Sequence, residues 1–206
     1  MKKTLLGLAL FAFFSLFNLS AYNIQPIAPG KQLPPIFYPD NYHFTTTVSA
    51  VADMICIEDE SVWKLTIPCH CLLQWKESDP LMISPNDSWL YSSYGKYKIT
   101  NLLTKQTVYV NQYFTPKKNN KNTLYIKSID REKGKIELTN SSTWLIHPKD
   151  YRSLSDWEVN DAILIGSCEG KASSWSEYFW YGNKPMMDHI LINFNIDSFV
   201  KVQNIK

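Results

Sequence analysis

An internal duplication constrains the fold of this chain more than any other feature of its sequence. Residues 61–65 (SVWKL) are matched by residues 142–146 (STWLI), and residues 75–83 are matched by residues 157–165. The second pair of blocks begins in both copies with Trp, carries Asp four positions later and ends in Ile. Two matched blocks in the same order predict that the chain contains two copies of one structural unit.

The spacing between the copies changes at one point. The offset is 81 or 82 residues for the tryptophan blocks and 92 for a third match, residues 99–101 (ITN) with residues 191–193 (LIN). The second copy therefore holds about ten extra residues, which lie roughly between positions 167 and 188. Because insertions concentrate in surface loops, we expect a loop there rather than an addition to the common fold.

Each copy has the sequence pattern of a small β domain. Short apolar stretches are separated by polar turn sequences such as residues 58–61 (EDES) and residues 139–142 (TNSS). About five short strands per copy and no long helix predict an all-β protein with two tandem small β-barrel-like modules, partly open and of the SH3-like or OB-like type. Paired tryptophans are expected in the module cores, because a large ring fills much of a small core. These pairs are Trp63 with Trp144 and Trp75 with Trp157.

The duplication also predicts the division of the chain. The modules are expected at residues 44–113 and 124–206, joined by a short Asn- and Lys-rich linker at residues 114–123. A Pro-rich segment precedes them at residues 22–43. Its five prolines are incompatible with a helix or a central strand, so we predict an extended arm or tether.

The first 21 residues have the composition of a secretory signal peptide. Lys2 and Lys3 precede an apolar run of about 14 residues, and the small residue Ala21 ends the segment. The run is too short to cross a membrane as a helix, which takes about 20 apolar residues. We therefore predict cleavage after Ala21, a mature protein that begins near Tyr22, and export to the periplasm or the outside of a bacterial cell.

Cleavage would also remove the excess of positive charge. The full chain has a formal net charge of +2, and loss of Lys2 and Lys3 leaves a neutral mature chain. A neutral chain has no overall field that attracts nucleic acid or an anionic membrane. No later apolar stretch approaches the length of a membrane-spanning helix. We expect neither a nucleic-acid partner nor membrane insertion after processing.

The order of these motifs resembles that of a family of small, uncharacterised, exported bacterial proteins with two tryptophan-containing β repeats. The shared pattern is Ser-x-Trp, then Trp-x-x-x-Asp-x-x-x-Ile, then an aromatic loop containing Ser-Trp, then a hairpin with Asn in its first strand. The resemblance covers residues 44–206 and implies export and two related β modules. It implies no catalytic or binding residue.

The reactive residues form no recognisable catalytic motif. The four histidines include no His-Glu-x-x-His pair, and residues 69–71 (CHC) would need Cys56 to complete a zinc site. The matched acids Asp79 and Asp161 precede predicted buried strands, where a turn explains an Asp better than catalysis does. We predict no catalytic residue, metal or cofactor. The alternative is an extracytoplasmic hydrolase whose catalytic residues the sequence does not identify.

The four cysteines are not expected to belong to the common fold, because none has a cysteine counterpart in the other copy. A disulfide between Cys56 and either Cys69 or Cys71 is favoured, since the first predicted hairpin would bring these residues close together. Cys168 lies at the insertion of the second copy.

Two aromatic clusters are the strongest candidates for a binding site. Each follows the predicted buried strand of its module and ends in Tyr-Gly, and the second occupies the expanded loop, residues 171–183. Exposed clusters of Trp and Tyr mark contact sites, because these rings combine a large apolar area with a polar group. The candidate binding residues are Trp89, Tyr94, Trp175, Tyr178, Trp180 and Tyr181.

The aromatic clusters suggest a function only in outline. A binding role would make this chain an exported, non-enzymatic or envelope-associated protein with a glycan, a peptide or a protein as its partner. An equally favoured alternative is that the rings fold back and cover an open barrel end.

Overall fold

The computed structural model describes residues 41–168 and 187–206, and within them the chain is almost entirely β. The twelve strands form two closed barrels of six strands each, and both barrels belong to one compact unit, Tyr38–Lys206. The strands of the first barrel are β1 Tyr42–Val48, β2 Met54–Ile57, β3 Val62–Leu65, β4 Pro80–Pro85, β5 Tyr97–Asn101 and β6 Thr107–Phe114. Those of the second are β7 Leu124–Asp130, β8 Lys135–Leu138, β9 Thr143–Ile146, β10 Ala162–Ser167, β11 His189–Asn193 and β12 Ser198–Asn204.

Both barrels have the same topology. The strand order is β1-β2-β3-β6-β5-β4 in the first and β7-β8-β9-β12-β11-β10 in the second, and all pairings are antiparallel. A 3₁₀ helix follows the third strand of each barrel, at His70–Gln74 and at Pro148–Asp156. The structure therefore confirms the internal repeat and the two tandem small barrels.

The number of strands and the closure differ from the sequence expectation of about five strands in a partly open barrel. In the first barrel, β1 pairs with β4 through residues 42–44 and with β2 through residues 45–48, so one strand joins both edges of the sheet. A β-bulge between Thr45 and Thr47 bends the strand where it changes partner. The first strand of the second barrel carries a bulge at the matching place, between Ile126 and Ser128. The alternation of apolar and polar residues along a strand shows which side chains are buried. It does not show that one strand pairs with the strands at both edges of the sheet.

The paired tryptophans lie in the cores, as predicted. Trp63 in β3 and Trp144 in β9 are fully buried, and each indole donates to the hydroxyl of the serine two residues earlier, at 3.1 and 2.8 Å. Trp75 and Trp157 each end a 3₁₀ helix and are also buried. Their indoles donate to side chains on the last hairpin of each barrel.

The two cores differ in how far they extend. The core of the second barrel consists of its own residues alone. The core of the first barrel also includes four side chains of the second, which are Leu164, Ile190, Ile192 and Phe194. The barrels thus share an apolar interface that completes the core of the first barrel.

The strands β4 and β10 approach closely at this interface. A Cβ atom added to Gly166 in β10 would lie 2.7 Å from the carbonyl oxygen of Ile83 in β4, which is too close for a real contact. Gln112 of the first barrel also donates from Nε2 to the carbonyl of Phe194, at 2.7 Å. Close packing and a direct hydrogen bond therefore hold the two barrels together.

The disulfide prediction was wrong. Cys69 and Cys71 are bonded to each other, whereas Cys56 and Cys168 are free. In the register of the β2–β3 hairpin, Cys56 lies opposite Val62. The backbone N–H of Cys69 instead donates to the carbonyl of Ala52, four residues before Cys56. Residues 69–71 therefore lie near the open end of the hairpin, where β2 begins and β3 ends, and not beside Cys56.

Candidate functional site

The structure describes two of the six predicted binding residues. Trp89 and Tyr94 lie on the connection between β4 and β5, residues 86–96, which we call the Trp89 loop. The other four, in the expanded loop of the second copy, lie outside the described residues; they are Trp175, Tyr178, Trp180 and Tyr181. The geometry of a binding surface can therefore be built on the first barrel alone.

Asn86 holds the Trp89 loop in one conformation. Its Nδ2 donates to the carbonyls of Tyr91 and Gly95, both at 2.7 Å, and its Oδ1 accepts from the N–H of Ser88 at 3.2 Å. Gly95 lies so close to β6 that an added Cβ would be 2.5 Å from the backbone nitrogen of Val110. The loop is thus tied from the inside by one amide side chain and by close backbone packing.

The aromatic rings of the loop point away from the barrel. The side chain of Trp89 is 83% exposed, and those of Tyr91 and Tyr94 are 43% and 37% exposed. The ring of Tyr91 stacks on Tyr109 of β6, with centroids 5.0 Å apart and planes 19° apart, and it also contacts Tyr94 at 5.7 Å. Burial and the neighbouring Tyr91 raise the pKa of Tyr109 above its ordinary value. Three tyrosines in contact and an exposed indole on the same loop thus form an aromatic surface.

Sequence reasoning missed Tyr109. Tyr109 alternates with the inward-facing Val108 and Val110, so the period of β6 shows that it points outward. Its position beside the loop follows only from strand pairing. Tyr97 belongs to the aromatic cluster in sequence, but it opens β5, is fully buried and packs edge-on against Trp63 at 5.4 Å.

The far end of the Trp89 loop is joined to the second barrel. Lys96 forms an ion pair with Asp197 at 3.2 Å, and its Nζ also donates to the carbonyl of Asp197. The hydroxyl of Tyr97 donates to the carboxylate of the same residue at 3.2 Å. Burial and the adjacent Asp197 raise the pKa of Tyr97 well above its ordinary value. The second barrel therefore helps to fix the loop.

The matched acids Asp79 and Asp161 have equivalent structural contacts. Oδ2 of Asp79 accepts from Nδ2 of Asn101 at 2.7 Å, and Oδ2 of Asp161 accepts from Nδ2 of Asn193 at 2.6 Å. Each carboxylate also accepts a backbone N–H three residues earlier in the chain, at 2.9 and 2.8 Å. Both acids are buried. We call each Asp–Asn pair a clasp, and its contacts agree with the interpretation of these acids as turn residues.

One buried ionisable pair lies between the barrels. His43 in β1 contacts Oε1 of Glu58 through Nδ1 at 2.7 Å and the carbonyl of Ile165 in β10 through Nε2 at 2.9 Å. Because a carbonyl only accepts, Nε2 carries a proton. Glu58 also accepts from the N–H of Phe44 at 2.7 Å. Sequence reasoning missed the contact of His43 with the second barrel, because Ile165 is 122 residues from His43.

The environment favours the charged forms of both partners. Burial alone would lower the pKa of His43, but the hydrogen bond and charge of Glu58, with the carbonyl of Ile165, raise it. Burial alone would raise the pKa of Glu58, but the hydrogen bond and charge of His43, with the amide of Phe44, lower it. The two shifts favour an imidazolium beside a carboxylate, with His43 buried and Glu58 half-buried.

In residues 41–168 and 187–206, no group of three or more His, Cys, Asp and Glu side chains is arranged to hold a metal ion. No helix in the same residues has the length and apolar character needed to cross a membrane. No protein-family model, curated protein or solved structure matches the chain. A function must therefore be argued from the geometry.

Proposed function

We propose that this chain is an exported binding protein that contacts a polypeptide partner through the Trp89 loop. The observation that carries the proposal is the exposure of Trp89, whose ring is 83% accessible although the loop around it is well anchored. An indole contributes a large apolar area, and leaving it in water is unfavourable unless a partner covers it.

The composition of the loop supports a polypeptide rather than another partner. Residues 86–96 (NDSWLYSSYGK) combine Trp and Tyr with Ser, Asn and Gly. Antibody binding loops use the same residues, because aromatic rings supply rigid contact area while Ser, Gly and Asn supply adaptable hydrogen bonds. Leu90, which is also exposed, adds an apolar contact beside Trp89.

The anchoring of the loop supports tight binding. Asn86 fixes the backbone from within, Tyr109 supports the ring of Tyr91, and Lys96 ties the end of the loop to Asp197. A surface held in place before binding loses less conformational entropy when a partner docks. The expanded loop of the second copy, residues 171–183, would contribute a second aromatic surface under the same proposal.

Export is supported by the signal-like first 21 residues and by the presence of a disulfide. Disulfides persist in oxidising compartments and are rare in the cytosol. A hydrolase is less well supported. The matched acids form structural clasps, and the His43–Glu58 pair is enclosed between the barrels.

The test compares capture of envelope polypeptides by the protein that begins at Tyr22 and by two variants. Trp89→Ala should reduce the amount captured by about tenfold or more, as expected for an interface hot spot. Tyr113→Ala is the matched control, because Tyr113 is an exposed aromatic residue of β6 that has no contact with the Trp89 loop in the described structure. Both variants should keep the melting temperature of the wild type.

Two results would contradict the proposal. Equal capture by Trp89→Ala and by the wild type would show that the loop is not the contact surface. Capture that survives protease treatment of the envelope fraction but is lost after glycan removal would show that the partner is a glycan.

A further inference from the structure

The disulfide between Cys69 and Cys71 is unusual in its position. Only His70 separates the two cysteines, and the bond lies where β3 leads into the first 3₁₀ helix. A disulfide restricts the unfolded chain more when it closes a longer loop, so a bond across two positions contributes little to stability by this route. The small stabilisation expected from this bond indicates that it has a role other than cross-linking the fold.

The second barrel shows that the segment folds without a disulfide. Both 3₁₀ helices bury one leucine, Leu72 or Leu154, and both end where the following tryptophan N–H donates to that leucine carbonyl, at 3.0 and 3.2 Å. Counted from these leucines, the positions of Cys69 and Cys71 are occupied by Tyr151 and Ser153. The same architecture thus forms with no sulfur at either position.

Exposed apolar side chains surround the disulfide. Ile67 and Leu73 lie two residues before and after the two cysteines, and Val51 adjoins Ala52, whose carbonyl accepts from Cys69. These three side chains are between 56% and 66% exposed. We call them the Ile67 patch. Cys69 and Cys71 are half-buried and pack against the core of the first barrel, while His70 between them is exposed.

We propose that the Cys69–Cys71 disulfide is a redox-active site that exchanges with cysteine thiols of polypeptides, which the Ile67 patch binds through their apolar residues. A disulfide that is only partly enclosed is more open to attack by a thiolate than a fully enclosed structural bond. This inference is independent of the Trp89 loop, because it concerns a different part of the first barrel and a different chemistry.

The exchange proceeds in two balanced steps. A substrate thiolate attacks one sulfur of the Cys69–Cys71 bond, forming an intermolecular disulfide and releasing the other cysteine as a thiolate that takes a proton from water. A second substrate thiolate then attacks the intermolecular bond, which leaves a substrate disulfide and two reduced cysteines. Two electrons pass from the substrate dithiol to the protein, and a small-molecule disulfide such as oxidised glutathione restores the starting bond.

The test measures oxidation of a synthetic peptide that has two cysteines flanked by Leu and Phe, in the absence of oxygen. The oxidised protein should convert the peptide to its disulfide about tenfold faster than oxidised glutathione at equal disulfide concentration. The double variant Cys69→Ser, Cys71→Ser should lose this activity. Cys56→Ser is the matched control and should react like the wild type, because Cys56 is free.

A second comparison distinguishes binding of the peptide by the Ile67 patch from the thiol–disulfide exchange itself. Ile67→Ser combined with Leu73→Ser should slow the reaction with the peptide several-fold but leave the reaction with dithiothreitol unchanged, since dithiothreitol has no apolar side chains to bind. The reduced protein should remain folded by circular dichroism. A wild-type rate equal to that of oxidised glutathione, an unchanged rate in the double-cysteine variant, or unfolding on reduction would each overturn the proposal.

Discussion

The two barrels have the same strand order but differ at their joint. Both contain a buried tryptophan in the third strand and an Asp–Asn clasp that fixes the last hairpin. In the first barrel Glu58 accepts the N–H of Phe44, and at the matching place in the second the hydroxyl of Thr139 accepts the N–H of Tyr125. At the residue before Phe44 the first barrel has an ionisable ring, His43, which contacts Glu58 and the second barrel. The residue before Tyr125 is a leucine. The shared residues therefore build the fold, and the unshared ones join the two copies.

The largest expected effect comes from removing the central tryptophan of either barrel. Trp63→Ala and Trp144→Ala should each lower the free energy of unfolding by about 3–5 kcal/mol, because each leaves a large cavity in a small core. Trp63→Ala should cost more, since its ring also packs against Phe194 of the second barrel at 5.7 Å. Urea denaturation measures both. A greater loss for Trp144→Ala would mean that the shared core contributes less than the structure indicates.

The next effect concerns the two clasps, which should be equivalent. Asn101→Ala and Asn193→Ala each remove a donor from a buried carboxylate and an acceptor for backbone N–H groups of the following turn. We expect a loss of about 2–3 kcal/mol in each case, as for hydrogen bonds to charged groups. Thr100→Ala is the control: Thr100 is half-buried in β5 and shares one hydroxyl–hydroxyl hydrogen bond with Thr107, so its removal should lower the unfolding free energy by less than either clasp variant. Unequal losses in the two barrels would break the equivalence.

A smaller effect, the pH dependence of the unfolding free energy, should distinguish the first barrel from the second. The pKa of His43 is raised in the folded state, so its contribution to stability is complete below about pH 6.5, its unfolded value, and is lost as the pH rises through the folded pKa. The pKa of Glu58 is lowered, so its contribution is present above about pH 4.5 and is lost as the pH falls through its folded pKa.

The substitution that tests this difference is His43→Leu. Leucine is the residue at the matching position of the second barrel, Leu124, and it removes the ionisable ring. The advantage of the wild type over the variant should be greatest between these two limits and should decline as the pH rises above about 6.5. Thermal unfolding from pH 5 to pH 9 measures it. A difference between wild type and variant that does not change with pH would show that the pKa of His43 is the same in the folded and unfolded protein.

The smallest expected effect is on the aromatic surface. Tyr91→Ala removes the ring stacked on Tyr109 and should lower the unfolding free energy by about 1 kcal/mol or less, because stacked pairs at a surface contribute little. The pKa of Tyr109 should fall towards its ordinary value, which ultraviolet titration would detect. A loss as large as that of a buried tryptophan would show that the Trp89 loop supports the barrel.

The sequence predicted those features that both copies require. Trp63 and Trp144, or Asp79 and Asp161, recur at fixed spacing because the same barrel needs the same side chains at the same places, and repetition makes them visible. Barrel closure was missed because it depends on β1 pairing with two different strands. The disulfide was predicted wrongly because the first hairpin was expected to bring Cys56 close to Cys69 or Cys71. The register of the hairpin instead places Cys69 beside Ala52 and Cys56 opposite Val62.

The candidate sites were predictable only in part. Trp89 stood out because an aromatic cluster is unexpected in a loop, and its exposure agrees with that reading. Tyr109, His43 and the Ile67 patch were missed because each depends on a contact between distant residues or on exposure. A single sequence does not reveal such contacts.

The unequal cores have a consequence for the order in which the chain reaches its final form. During synthesis the first barrel is completed before the ribosome adds Ile190, Ile192 and Phe194, which fill part of its core. The second barrel needs only its own residues. The first barrel therefore keeps an incomplete apolar face until β11 and Phe194 pack against it. A truncation before β11 should leave that face exposed to water and the protein prone to aggregate.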